Sequence, residues 1–382
     1  MNPIDLSDVY SDEYTAEIET YRRFISNFIN QIFLKYFVES GLIDQKTQSE
    51  LVSPDFLPSL TAVNFVKKML EHYLDAGTIA VSDADKIIIK TPIVDTDPGD
   101  SQLDKFLAEN PSRQNFYQIL RDIRDIIGDV LFKGEDALLT LANDNFHKAM
   151  ELWEDLMVNA EVKKPCHQLV LRTLSEKLQK SKELSIFEGG AGVGAILREA
   201  MAVPEIVAEI DKIHSYYYTD ISLSLIKMGR KWLRENAPSG FPDRTTFKVV
   251  DLDKMEIGTE AYTQPESLDM IILEHVLYDV TDLHKTLTLF RQTLKPDGML
   301  IFTMAYRQSP KYFFPFEFLQ SSFQSYNKAK LEPGYRENLG YLTLSEWDAS
   351  LKRAGFERYD SYPAADESIK WPYGGIVAYP SK

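Results

Sequence analysis

The stretch LSIFEGGAGVGAILREAMA, residues 184–202, decides how this chain is read. An apolar run, Leu184 to Phe187, enters a turn in which Gly190, Gly192 and Gly194 alternate, and a helical pattern follows at once. Glycines at alternate positions clear side chains from the turn. Backbone can then approach a ligand closely, and free amide N–H groups point toward it. An ordinary strand-to-helix turn does not need three glycines in five positions. Downstream, short apolar runs keep alternating with helical segments: SYYYTDI (215–221), TFKVVDLD (246–253), LDMIILEH (268–275), GMLIFTMAY (298–306), FERYDSYP (356–363) and GGIVAYP (374–380). That alternation implies an α/β fold with a mostly parallel sheet covered on both faces.

Upstream the texture is helical. Tyr21, Phe24, Phe28, Ile29, Ile32, Phe33 and Tyr36 form a stripe at helical spacing. A second helix opens at Thr61, carries Val63, Phe65, Val66, Met69, Leu70, Tyr73 and Leu74 on one face, and ends at Gly77. TIAVSDADKIIIKTP (78–92) then reads as two short strands around an Asp-rich turn, which completes the outline of a winged helix. Residues 91–102 are a linker by composition, and helical patterns return from Asn115 to about Lys180. We place the boundary near residue 170: a helical domain over 1–170, acting as a lid or in dimerisation, and an α/β core over 171–382.

Charge narrows the partners. Asp and Glu number 58 against 42 Lys and Arg, a net charge of −16, and the first 100 residues hold 17 acids and 8 bases. Such a surface repels phosphate backbones and anionic membranes, so neither nucleic acid nor membrane is expected as a partner. The single cysteine, Cys166, excludes an intramolecular disulfide and a multi-thiolate zinc site. The opening MNPIDLSDVYSDEYTAEIE has neither the basic nor the apolar region of a secretory leader, and a cytoplasmic location is expected.

The glycine loop fits two cofactors. Gly190-x-Gly192-x-x-Ala195 satisfies a relaxed dinucleotide fingerprint, which would make the chain a nicotinamide-dependent oxidoreductase. Glu188-x-Gly190-x-Gly192-x-Gly194 resembles motif I of the class I S-adenosylmethionine (SAM) methyltransferases. Glu188 favours the second pattern, because a carboxylate there repels a pyrophosphate but can bind an ammonium, and SAM carries an ammonium and a sulfonium. The resemblance continues in order. Tyr216 to Ser222 (YYYTDIS) looks like the second strand, ending in an acid that holds the ribose hydroxyls. Val249 to Asp253 (VVDLD) looks like the third, whose first aspartate faces the adenine. Leu268 to His275 resembles the fourth, which runs to the reaction centre, and Leu294 to Ile301 (LKPDGMLI) is similar to the fifth. The resemblance implies a Rossmann-like seven-stranded core and a cofactor set of Glu188, Gly190, Gly192, Gly194, Asp220, Ile221, Asp251, Leu252 and Glu274.

In texture the chain is similar to the methyltransferase domains of polyketide synthases, through YxxTDIS and VLxxxxDLxxTLxxxxxxLKPxG. That implies a small-molecule or carrier-bound acyl substrate in secondary metabolism, with homodimerisation left open. Carbon-methylating members place a His after the VL pair and a Glu at the end of the next strand; here Tyr278 and about Met304 stand there. The missing dyad favours a hydroxyl acceptor, with the α-carbon of an acyl thioester as the alternative and a non-catalytic partner protein as a second. Methyl transfer needs alignment and removal of one proton. His275, after the fourth strand, is the expected base, and Tyr278 the expected orienting group. His147, His167 and His284 lie in helical stretches and read as solvated or packed. Glu274, His275 and Asp279 are a ligand-type set, but no HxxxH or HxH spacing accompanies them, so no metal is assigned. The aromatic stretch Tyr306–Tyr326 reads equally as a substrate wall or as core.

Overall fold

The computed structural model describes residues 3–24, 30–91, 100–157, 160–307, 316–320, 328–364, 367 and 370–381. The chain forms two compact units, one of residues Asp12–Val162 with Ser309–Lys328, the other of Met1–Ser11, Lys163–Gln308 and Ala329–Lys382.

The first unit is helical. Its longer helices are Asp12–Phe24, Asn30–Glu39, Leu60–Asp75, Asp100–Glu109, Gln114–Gly128 and Phe146–Met157. Ser59 caps the third of these, its hydroxyl accepting from the Ala62 N–H at 3.0 Å. Phe65, Val66, Met69, Leu70 and Tyr73 of the expected face are buried, while Val63 and Leu74 at its margins are half-buried. Strands β1 (Ile79–Val81) and β2 (Ile87–Ile89) pair antiparallel, so the helix–hairpin outline is present. Phe318, from the second segment of this unit, packs its ring 5.3 Å from Phe33 and 5.4 Å from Phe65. That part of the aromatic stretch is core. Its residues 308–315 and 321–326, like Phe28, Ile29 and the linker residues 92–99, lie outside the described residues.

The second unit is built on a seven-stranded sheet: β3 (Leu184–Gly189), β4 (Ile213–Asp220), β5 (Thr245–Val249), β6 (Leu268–Glu274), β7 (Leu294–Ala305), β8 (Arg358–Tyr362) and β9 (Tyr373–Tyr379). Their order is β5-β4-β3-β6-β7-β9-β8, with β9 antiparallel to both neighbours and the other pairings parallel. Every expected strand is present. β3, with Ile186 and Phe187 buried, lies between β4 and β6, and the chain winds outward from it in both directions. The crevice at the carboxyl ends of β3 and β6 is therefore the topological switch point, where open α/β sheets bind ligands.

This unit begins at Lys163, earlier than a division at 170. The reason is packing: Leu169, Val170, Leu171, Leu174 and Leu178 of the helix Lys164–Lys180 join one hydrophobic cluster with Ile186, Met270, Ile272 and Ile301 of the sheet. Leu6 and Val9 belong to the same cluster, which brings the first eleven residues into this unit as well.

Candidate active site

Gly190 and Gly192 shape the loop after β3. Their φ angles are +63° and +57°, in the left-handed region that a side chain disfavours. A Cβ on Gly190 would stand 2.3 Å from Val276 Cγ2, so this glycine also lets the loop close on the residue that follows His275. A Cβ on Gly192 would meet nothing nearer than 3.9 Å, and its surroundings are open. Gly194 ends the loop as the N-cap of the short helix Ala195–Ala200. The Gly192 N–H donates to Asp220 Oδ2 at 2.9 Å, and the Ser222 N–H donates to Oδ1 at 2.8 Å. Burial raises the Asp220 carboxyl above its ordinary range, and those N–H donors oppose the rise.

Beyond Asp220 the surface is apolar and open. Ile221 is 67% exposed, and Leu223 and Val249 are exposed beside it in the chain and at the end of β5. Large aliphatic side chains left in solvent at the carboxyl ends of adjacent strands are the kind of patch that a flat ring covers. Asp251 caps the turn Leu252–Lys254, accepting from the Asp253 N–H at 3.1 Å, and pairs with Lys254 at 2.9 Å. Leu252 lies over Gly189, its Cδ2 3.3 Å from where a Cβ would stand.

Glu188 faces inward. It is 2% exposed and accepts from the Tyr216 hydroxyl at 2.7 Å. Burial pushes its carboxyl up to about 8, although the Tyr216 bond opposes this. The acid is therefore held neutral beneath the loop.

The end of β6 differs. His275 is buried at 8% exposure with φ +54°, an uncommon conformation for a residue with a side chain. Its N–H donates to the Thr303 carbonyl at 3.0 Å, which fixes the backbone against β7. Its ring Nε2 is buried without a hydrogen-bond partner. Burial, then Lys163 and His167, hold this imidazole well below its ordinary pKa, so it is neutral at physiological pH. Tyr278 is fully buried, its ring 6.4 Å from that of His275 and 4.6 Å from that of Tyr341. Asp279 Oδ1 has no partner, and burial pushes that carboxyl up to about 7 against the pull of Arg336.

Sequence reasoning passed over His167. It is packed rather than solvated: its Nδ1 contacts Glu199 Oε1, and its Nε2 lies 2.6 Å from Glu274 Oε1. The second contact is an ion-pair approach without the alignment of a hydrogen bond, so Glu274 Oε1 keeps acceptor capacity. Lys163, one turn earlier, is also buried, and burial pulls it down to about 8 while Glu274 opposes the fall. The available signal was Lys163 and His167, four residues apart at the start of a segment that also carries Val170, Leu171 and Leu174. His147 is solvated and pairs with Glu151 at 3.2 Å. Among the described residues, no group of three or more His, Cys, Asp and Glu side chains is placed to hold a metal ion, so Glu274, His275 and Asp279 are not brought together as ligands.

These residues fit SAM. An open glycine cradle, a carboxylate beside it, an exposed apolar patch and an orphaned acceptor on Glu274 match a ligand with hydroxyls, a flat base and positive charge. Among the described residues, no helix is long and apolar enough to cross a membrane.

A sequence profile of the family described as "Methyltransferase domain" matches residues 158–361. The chain is 30% identical over 182 residues to the polyketide synthase component of a lovastatin nonaketide synthase from Aspergillus terreus, covering 47% of this chain and 5% of that protein. A reducing polyketide synthase of Aspergillus oryzae is 24% identical over 283 residues, 72% of this chain and 11% of that protein. The chain thus spans a small part of the length of these curated relatives. In structure it is similar to the DszA carbon methyltransferase (TM-score 0.76, 17% identity, 100% of this chain and 98% of that one). The CMeT domain of the citrinin polyketide synthase gives a TM-score of 0.71 at 17% identity, covering 99% and 97%. At those identities the likeness is one of fold. The profile spans more than half of the residues, and the chain belongs to the methyltransferase-domain family as a SAM-dependent methyltransferase with a Rossmann-like core.

Proposed function

We propose that the chain methylates a hydroxyl group of a small-molecule or carrier-bound, polyketide-type acyl substrate, with His275 as the base. The observation that carries this reading is the neutral, buried imidazole at the end of β6, whose Nε2 is without a partner. When bound, SAM supplies a methyl group already activated by its sulfonium. Asp220 takes the ribose hydroxyls on its remaining lone pairs; Ile221, Leu252 and Asp251 take the adenine, and Glu274 the positive end. Gly190, Gly192 and Gly194 let the backbone reach the ligand, and Glu188 supports the loop from beneath in its neutral form. His275 Nε2 accepts the proton of the acceptor hydroxyl. Tyr278 packs beside the base and fixes its side of the crevice. Tyr278 and Met304, where a carbon-methylating dyad would stand, support oxygen over carbon.

The test is incubation with SAM and a panel of hydroxyacyl and β-ketoacyl thioesters on a carrier protein, read by mass spectrometry. A one-methyl gain on oxygen is expected. A methyl on the α-carbon overturns the acceptor assignment. No transfer to any substrate, with no heat on adding S-adenosylhomocysteine in calorimetry, overturns the reading as a whole.

A further inference from the structure

We propose that His167 is a positioning residue for methyl transfer, an imidazolium that ties Glu199, on the helix after the glycine loop, to Glu274 at the end of β6. This rests on the methyltransferase reading above. The three residues come from separate elements: the helix Lys164–Lys180, the helix Ala195–Ala200 and β6. His167 is 3% exposed, and each ring nitrogen meets a carboxylate oxygen, Nδ1 with Glu199 and Nε2 at 2.6 Å with Glu274. A neutral imidazole would turn a lone pair toward one of the two carboxylates, whereas the doubly protonated ring presents positive charge to both, as a hydrogen bond with Glu199 and an ion pair with Glu274. Burial works against that charge, but Glu274 and Glu199 overcome it and push the group up to about 10.

The clamp joins both sides of the switch point. Glu199 follows the loop that closes on Val276, and Glu274 precedes His275. The charged and titratable groups facing His167 are Glu199, Glu274 and His275, with Lys163 at the N-cap of its helix. Its charge has a second effect, since His167 and Lys163 help to keep His275 deprotonated and ready to accept. Removal of the imidazolium should thus both loosen Glu274 and raise the His275 pKa.

The experiment compares His167→Gln, His167→Lys and the wild-type chain in steady-state methyl transfer across pH, with S-adenosylhomocysteine binding measured by calorimetry. His167→Gln should lower kcat by about 10²-fold, the scale on which slight misplacement acts. The acid limb of its pH–rate profile should move up toward about 6.5, the ordinary histidine range. His167→Lys restores a cation and should bring that limb back down while recovering part of kcat. Should His167→Gln fail to fold, Glu199→Gln removes the half-exposed arm of the clamp and should lower kcat about 10-fold, its acid limb staying near that of wild type because Glu274 still holds the imidazolium. For His167→Gln, a kcat within about threefold of wild type, or a loss of thermal stability with the acid limb unmoved, overturns the proposal, as does a kcat within about threefold for Glu199→Gln. Absence of binding and turnover in the wild-type chain would instead strike the methyltransferase reading, so the two failures are distinct.

Discussion

The ends of β4 and β6 lie on opposite sides of β3 and are built by different means. At β4, Asp220 is held by backbone N–H groups from Gly192 and Ser222, and its surroundings are apolar and open. At β6, Glu274 is half-buried with its Oε1 against His167 of a distant helix, and His275 is buried with its Nε2 orphaned and its N–H on the Thr303 carbonyl. Backbone cages tolerate a ligand of fixed shape and release it unchanged. Buried side-chain networks set proton affinities, because low local dielectric magnifies each charge. On the proposed function, this contrast puts recognition at one end and proton handling at the other.

The sharpest way to break that contrast is to remove His275. His275→Ala should lose about 10²–10⁴-fold in kcat, the usual contribution of a positioned base. Binding of S-adenosylhomocysteine should stay within about threefold, because the base meets the acceptor and not the cofactor. The wild-type profile should show its acid limb below about 6.5, since the folded imidazole titrates below the unfolded one, and the variant should lack that limb. Retention of more than about a third of turnover would place proton removal elsewhere.

Next in size is a pair of glycine variants that separates the sides of the loop. Gly190→Ala combines a left-handed backbone, about 1–2 kcal/mol, with a collision against Val276 of about 1–3 kcal/mol. Gly192→Ala carries the backbone cost alone, about 1 kcal/mol, because its surroundings are open. Thermal denaturation should therefore rank them clearly, while cofactor binding falls in both. Equal losses of stability would mean that the loop and the residue after His275 are not coupled.

The proposed recognition side was legible because its parts are local. Alternate glycines, an acid at a strand end and an apolar neighbour lie within a few residues of each other, and each carries its own physical reason. The strands followed from period and burial, and all seven formed the sheet. The reaction side was half-legible. His275 could be named from its place after a strand, but its φ of +54°, its bond to the Thr303 carbonyl of β7 and its buried, orphaned Nε2 depend on the folded sheet. His167 was invisible as a partner of Glu274 because more than a hundred residues separate them. The start of the core unit was misjudged by a few residues for the same reason, since Leu169 and Val170 declare their side only once the sheet is formed.

Glu188 sits between the two ends, and its pH response tests which it serves. Its folded pKa, near 8, lies above the model-peptide value of 4.5. Between those values the unfolded chain has released the proton and the folded chain retains it. Stability from this group is present at low pH and is lost as pH rises toward 8. Glu188→Gln should thus match wild type at pH 5 and exceed it by about 2–4 kcal/mol at pH 8, the span of the shift discounted for relaxation. Denaturant melts at both pH values check this. A variant less stable than wild type at pH 8, with cofactor affinity lost, would make Glu188 a charged ligand for the SAM ammonium.

Asp220 gives the smallest effect and the cleanest partition. Its two oxygens accept one backbone N–H each, so lone pairs remain for two hydroxyl donors. Asp220→Ala removes those acceptors and should weaken S-adenosylhomocysteine binding by about 1.5–3 kcal/mol, the worth of hydrogen bonds to a charged group. At saturating SAM, kcat should stay within about threefold, because a contact held equally in ground and transition states appears in KM alone. The acid limb of the rate profile should not move, since Lys163 and His167 are the charges that set His275, and Asp220 is not among them. Asp220→Ala and His275→Ala would then divide cleanly, one changing affinity and the other changing rate and its pH dependence. If Asp220→Ala instead lowers kcat at saturation as much as it weakens binding, the two ends of the sheet act as one unit, and the division between recognition and proton handling fails.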